Sequence, residues 1–125
     1  MLTNSPVVAV VAVRDLESAR TFYEGTLELA PGDEEPGGVL YTCAGGSQLL
    51  VYQSTFAGTN EATSASWQVD DLDVEIADLT EKGIAFEHYD IPGAERDGAV
   101  HVIGGLRAAW FKDPDGNILN LVNRG

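Results

Sequence analysis

One arrangement of apolar and polar residues occurs twice along this chain. Residues 7–27 read VVAVVAVRDLESARTFYEGTL and residues 64–83 read SASWQVDDLDVEIADLTEKG. Each copy begins with an extended stretch of β-branched, aromatic or small residues and then reaches an aspartate, with a constant offset of 56 positions between the two copies. The chain therefore contains an internal repeat of one supersecondary unit.

Each of these aspartates predicts the start of a helix. The carboxylates of Asp15 and Asp71 can accept hydrogen bonds from the N–H groups that are free in a first helical turn. Helical apolar spacing follows both residues, and Gly83 predicts the end of the second helix. The predicted buried positions are Leu16, Ala19, Phe22, Tyr23 and Leu27 in the first helix, and Leu72, Ile76 and Leu79 in the second.

After each helix the pattern changes to that of strands. A hairpin is predicted from strands 37–43 and 48–53. In the second half we predict strands at 84–89, 107–112 and 118–122, and a further short strand within 99–103. The DPDG segment at 113–116 has proline second and glycine fourth, as a type I turn prefers.

Together these elements predict an α+β fold made of two βαβββ modules, with the helices on one side of curved sheets. We expect one domain over residues 1–125. The first module covers about 5–55, a polar connection about 54–63, and the second module about 64–123.

Two longer motifs lie near the ends of the repeated units. The first is V-x-D-L-E-x-A-x-x-F-Y-x-x-x-L from Val13 to Leu27, and the second is K-D-P-D-G-N-I-L-x-L from Lys112 to Leu121. Both resemble motifs of the vicinal-oxygen-chelate superfamily, which includes glyoxalases, bleomycin-resistance proteins and dioxygenases. The resemblance implies that the paired modules form a curved, cup-like mixed sheet with the helices outside. It implies little about activity, because one fold hosts many functions.

In metal-dependent members of this superfamily, histidines and carboxylates on the inner face of the cup hold a divalent ion. By the resemblance, these ligand positions fall on Val8, on Ser64, near 50–52 and on Asn120. None of them is a histidine or a carboxylate. Valine has no lone pair to donate, and the neutral side chains of serine and asparagine are poor ligands for a transition metal. We therefore expect no metal and no other cofactor. A relocated site is the alternative, formed by the two histidines of the chain with Glu87, Asp90, Glu95 or Asp97.

The ligand positions also identify the inner face, because side chains alternate along a strand. Val8, Val10 and Ala12 are expected to face the cup, while Trp67 packs beneath its helix. Resemblance to the fosfomycin-resistance enzymes places Trp110 in the pocket wall, although Trp110 and Tyr52 would also suit a core or a dimer interface. The candidate ligand-binding residues are Tyr52, Ser66, Gln68, Trp110 and Asn120.

His88 and His101 are the candidate acid–base residues, since histidine alone titrates near neutral pH without perturbation. No partner spacing surrounds either one, and each also suits a structural position. Cys43, on a predicted strand, is interpreted as an apolar filler.

The composition narrows the possible partners. Twenty acidic residues against seven basic ones give a formal net charge of −13, which disfavours nucleic acid and anionic membranes. The charge would favour a cationic ligand, although a soluble acidic surface or an acidic host proteome is the simpler explanation. A single cysteine and an apolar run of only seven residues at 7–13 predict a cytoplasmic protein.

The expected function is therefore metal-independent binding of a hydrophobic, aromatic or cationic small molecule by a homodimer. One alternative is a metal-independent enzyme with isomerase-like or lyase-like acid–base chemistry. Another is a metal-dependent lyase or dioxygenase, which would need the relocated metal site.

Overall fold

A computed structural model describes residues 1–124 of the chain. The helices are α1 (Leu16–Arg20), which continues as a π-helical segment over Thr21–Thr26, and α2 (Leu72–Glu81), with short 3-10 turns at Leu2–Asn4 and Ala44–Gly46. The strands are β1 (Val8–Val13), β2 (Asp33–Glu35), β3 (Gly38–Thr42), β4 (Gln48–Gln53), β5 (Thr63–Gln68), β6 (Glu95–Asp97), β7 (Val100–Ile103), β8 (Leu106–Lys112) and β9 (Ile118–Arg124).

The strands form two mixed sheets, with the orders β1-β4-β3-β2 and β5-β9-β8-β7-β6. The pairs β1–β4 and β5–β9 are parallel, and the other neighbours are antiparallel. Because β1 contacts β5, the two sheets meet at these strands and make the curved, cup-like arrangement with the helices outside. The α+β fold class is thus confirmed, and the first module has the predicted βαβββ order.

The two faces of the sheets differ in the way that strand alternation predicts. Val11 and Val13 are each 1% exposed and belong to the core under the helices, whereas Val10, between them, is 48% exposed. Trp67 packs against the same core, as expected. The face opposite the helices carries Val8, Val10 and Ala12, and is called the inner face below.

The predicted helix boundaries are confirmed by their hydrogen bonds. The Asp15 carboxylate accepts from the Glu17 N–H at 3.2 Å, and that of Asp71 accepts from the Val74 N–H at 3.2 Å. At the end of α2, Gly83 has a φ of +95°, and the next N–H donates to the Leu79 carbonyl. This left-handed glycine closes the helix as a C-terminal cap.

The predicted strand at 84–89 is wrong. Ile84 and Phe86 do pack against the core, which explains the alternating pattern, but only Glu87 pairs with the sheet, through an isolated bridge to Trp110. The sequence pattern also missed two short hairpin strands, β2 and β6, whose residues are all exposed. The second module therefore has four strands after its helix instead of three.

A buried hydrogen-bond network joins the two modules. Asp113, 5% exposed, accepts from the Tyr23 hydroxyl at 2.8 Å and from the Asn117 side-chain amide at 2.8 Å. Its other oxygen accepts the backbone N–H groups of Asp115 and Asn117. The Asn117 amide also donates to the Ala12 carbonyl at 2.7 Å. The DPDG turn is therefore fixed to both β1 and the first helix.

The cap of α2 gives a first testable expectation. Asp71→Ala removes the side-chain acceptor of the Val74 N–H and should lower the free energy of unfolding by about 1 kcal/mol. Denaturant titration measures this loss. Asp78→Ala removes a charge from the same helix without removing a cap, and should change the stability by less than about 0.5 kcal/mol. Equal losses in both variants would contradict the capping role.

Candidate functional site

Three of the candidate residues form one row across the inner face of the second sheet. Ser66 on β5 pairs with Asn120 on β9, and Asn120 pairs with Trp110 on β8. The Ser66 hydroxyl donates to the Asn120 side-chain oxygen at 2.6 Å, and the Asn120 amide donates to the Ala109 carbonyl at 3.2 Å. The polar groups of this row are neutral, and those of Asn120 are held in fixed positions.

Trp110 is held rigidly at the end of this row. Its indole N–H donates to the Thr63 hydroxyl at 3.0 Å. The His101 ring meets it edge-on with centroids 5.0 Å apart, and the Tyr89 ring meets it at 5.6 Å. The indole is half-buried, and it presents a fixed aromatic surface to the inner face.

A cavity of about 350 Å³ lies against this aromatic cluster. We call it the aromatic pocket; it is lined by Glu61, Ala62, Thr63, Tyr89, Ile91, Trp110 and Ile118. Its volume lies within the range of about 300–1,000 Å³ that is usual for small-molecule sites. Glu61 supplies a carboxylate at the wall, and the remaining wall is mainly apolar.

Tyr52 and Gln68 lie outside this pocket. Tyr52 is on β4 in the first sheet, opposite Ala12 and Gly38 in register, and is 38% exposed. Gln68 is exposed on β5, on the same face as Ser66. The structure therefore brings Ser66, Trp110 and Asn120 together, and places Tyr52 across the junction of the sheets.

The two histidines are far from equivalent. His88 is exposed, whereas His101 is 0% exposed. The Tyr89 N–H donates to His101 Nε2 at 2.9 Å, so the proton must lie on Nδ1, which donates to the Ala99 carbonyl at 3.1 Å. Both ring nitrogens of His101 are thus used by the backbone, and its role in the structure is to hold the segment before β6.

The family metal centre does not fit the residues at its positions. Val8 has no lone pair, and the oxygen of Asn120 already accepts the Ser66 hydroxyl. Leu50 and Tyr52 supply no carboxylate, and Ser64 supplies only a hydroxyl group. Divalent transition metals are held by imidazole, thiolate or carboxylate donors. Within residues 1–124, no three histidine, cysteine, aspartate or glutamate side chains are grouped to hold an ion.

The family model for the Glyoxalase/Bleomycin resistance protein/Dioxygenase superfamily matches residues 6–121. This chain therefore belongs to that superfamily, as the two sequence motifs predicted. No curated protein matches the sequence.

Solved structures share the fold at low sequence identity. One is a superfamily member from Sphaerobacter thermophilus, with 26% identity and a TM-score of 0.70, covering 98% of this chain and 99% of that one. TnmS3, an antibiotic binding protein from Streptomyces sp. CB03234, has 23% identity and a TM-score of 0.69, covering 98% of both chains. The fosfomycin resistance protein FosX from Listeria monocytogenes has 12% identity and a TM-score of 0.69, covering 96% of this chain and 93% of that one.

Sequence reasoning missed most of the aromatic pocket. Tyr89 was included in a strand that does not form, so its position beside Trp110 could not be inferred. Thr63 and Glu61 fell in the predicted connection, where only their polarity was considered. Simple alternation along β5 would place Thr63 on the face of Ala65 and Trp67, opposite to Ser66. A register shift between Thr63 and Ala65 instead sets Thr63 opposite Ile118, and no local pattern of residues predicts such a shift.

In the described part of the chain, no helix is long and apolar enough to cross a bilayer.

Proposed function

We propose that this protein binds a hydrophobic, aromatic or cationic small molecule in its cup and does so without a metal ion. The observation that carries the proposal is the row of Ser66, Asn120 and Trp110 beside the aromatic pocket. It combines neutral hydrogen-bonding groups with a fixed aromatic wall at the place where metal-dependent relatives hold their ligands. Small-molecule sites generally have this mixture of apolar surface and a few placed polar groups.

The comparisons support binding as the activity. TnmS3 is described as an antibiotic binding protein, and FosX as a fosfomycin resistance protein. Both share the fold along nearly the whole chain. Acid–base catalysis finds less support, because both nitrogens of His101 are engaged with the backbone and His88 is exposed.

Electrostatics favour a neutral or cationic ligand over an anionic one. The chain carries a formal charge of −13, and Glu61 lies in the wall of the aromatic pocket. A field of this sign attracts cations and repels anions before contact. The aromatic faces of Trp110 and Tyr89 add attraction for a cation at short range.

The proposal includes a homodimer acting in the cytoplasm. Val10 and Tyr52 expose apolar surface on the inner face of the first sheet, at 48% and 38% respectively. A second copy could cover this surface and deepen the cup, since exposed apolar patches commonly mark interaction sites. Light scattering at micromolar concentration should give twice the chain mass, and a monomer mass would contradict the dimer.

The binding proposal can be tested with three planar probes of different charge. Fluorene is neutral, 9-aminoacridine is cationic, and 9-anthracenecarboxylate is anionic. The first two should bind and raise the melting temperature in the presence of EDTA, because a ligand that prefers the native state stabilises it. Trp110→Leu should weaken that binding about tenfold, through the loss of aromatic contact.

Val74→Ala is the matched control, because Val74 is an exposed apolar residue on the outer helix α2. It should leave the affinity unchanged. Equal affinities in wild type, Trp110→Leu and Val74→Ala would place the binding elsewhere. One stoichiometric zinc, nickel or iron ion in gently purified protein would overturn metal independence.

A further inference from the structure

Among the buried side-chain nitrogen and oxygen atoms of residues 1–124, one has no hydrogen-bond partner. The Tyr89 hydroxyl is buried and forms no hydrogen bond with residues 1–124. Leaving such a group without a partner is costly, and native proteins rarely do so. A phenylalanine at this position would fill nearly the same space without burying an unpaired hydroxyl group.

The surroundings of Tyr89 fix its backbone while leaving the hydroxyl unpaired. Its N–H donates to His101 Nε2 at 2.9 Å, which holds the main chain against β7. Its ring packs edge-on against Trp110, with centroids 5.6 Å apart and an interplanar angle of 74°. These contacts fix the position of the Tyr89 ring, and only its hydroxyl group lacks a partner.

Tyr89 also lines two cavities. It lines the aromatic pocket of about 350 Å³, and it lines a second cavity of about 250 Å³ together with Asp90, Ile91, Pro92, Ala94 and Arg96. The Tyr89 side chain thus belongs to the walls of both cavities, and a ligand that fills the aromatic pocket contacts this residue.

The protonation state of the hydroxyl decides what the ligand must offer. Burial raises the pKa of Tyr89, and the nearby Glu87 carboxylate raises this pKa further, against a smaller opposing effect of Lys112. The group is therefore a protonated phenol at neutral pH. A protonated phenol donates one hydrogen bond, so a ligand with an acceptor such as a carbonyl oxygen would satisfy it.

We propose that the Tyr89 hydroxyl is the polar anchor of the aromatic pocket, and that its ligand is an aromatic molecule carrying a carbonyl-type acceptor. This inference rests on the proposed binding function and narrows its ligand class. Trp110 contacts the ring system of the ligand, and Tyr89 donates to its carbonyl oxygen. A ligand of the same shape without the acceptor loses that hydrogen bond and leaves the phenol unpaired.

The matched probes are 9-fluorenone and fluorene, which differ by a carbonyl oxygen on the same tricyclic framework. Titration by tryptophan fluorescence should show fluorenone binding about tenfold more tightly than fluorene to the wild-type protein. Tyr89→Phe should remove this difference, lowering the affinity for fluorenone while leaving that for fluorene unchanged. Thr80→Val, which removes an exposed hydroxyl from the outer helix α2 and leaves the cup untouched, should preserve the tenfold preference.

A second measurement needs no ligand. Tyr89→Phe should melt at the same temperature as the wild type or higher, because the variant no longer buries an unpaired hydroxyl. A clearly lower melting temperature would show that the hydroxyl has a structural partner in solution and would overturn the inference.

The outcomes separate this inference from the broader proposal. If neither probe binds the wild type, binding of aromatic molecules in the cup fails, and the inference fails with it. If both probes bind equally and Tyr89→Phe changes neither, the binding function stands and the role of Tyr89 is wrong.

Discussion

Asp113→Ala should destabilise the protein by about 3–5 kcal/mol, because it leaves several buried donors without an acceptor. The carboxylate accepts the Tyr23 hydroxyl, the Asn117 amide and two backbone N–H groups of its own turn. Hydrogen bonds to a charged acceptor contribute about 1.5–3 kcal/mol each, and a domain has only about 5–15 kcal/mol in total. Urea denaturation followed by circular dichroism measures the loss.

The neighbouring Asp115 provides the control for this prediction. It lies in the same turn and pairs with Arg14 at 3.6 Å; the Asp115 side chain is 17% exposed, but the Arg14 side chain is 61% exposed, so water screens the pair. Exposed ion pairs contribute about 0–1 kcal/mol, so Asp115→Ala should have a small effect. Tyr23→Phe combined with Asp113→Ala should cost less than the sum of the two single losses. Strict additivity would show that the two side chains act independently.

Gly58→Ala should be the other large perturbation. Gly58 has a φ of +72°, and a Cβ atom added there would lie 1.9 Å from the Asp115 carbonyl oxygen. Both the left-handed backbone and the collision with main-chain atoms oppose a side chain. We expect a loss of about 3 kcal/mol or more, since the connection would have to move away from the turn that follows β8.

Gly93→Ala separates the two causes of this effect. Gly93 has a φ of +83°, but an added Cβ there would meet no atom within 4 Å. Its substitution should cost only the backbone strain, about 1–2 kcal/mol. Melting curves of the two variants give the comparison. Equal shifts would mean that the close approach of Gly58 to the turn is relieved easily.

The repeated unit was predictable because its signals are local. Asp15, Asp71 and Gly83 act within one helical turn, so residue type and spacing suffice to place them. The DPDG turn is equally local, and its Gly116 N–H donates to the Asp113 carbonyl at 3.0 Å as a type I turn requires. Alternation along β1, combined with the ligand positions that the family resemblance implies, then predicted correctly that Val11 and Val13 lie in the core and Val10 on the opposite face.

The features that were missed depend on residues far apart in the chain. Tyr23 and Asp113 are 90 positions apart, and nothing in either segment predicts their contact. The segment from Ile84 alternates like a strand because Phe86 packs on Phe111, with ring centroids 5.6 Å apart, although one bridge is its only pairing with the sheet. The row of Ser66, Trp110 and Asn120 was predictable because strand alternation and the family resemblance both indicated it. Neither of them indicated Tyr89.

The outermost strands restrict how two copies can associate. The strands β2 and β6 end the two sheets, and they read Asp-Glu-Glu and Glu-Arg-Asp. Lining up such edges between molecules would bring like charges within a few ångströms along an open ladder of main-chain groups. These carboxylates therefore oppose indefinite strand-by-strand growth between molecules, because every added copy would repeat the same repulsion.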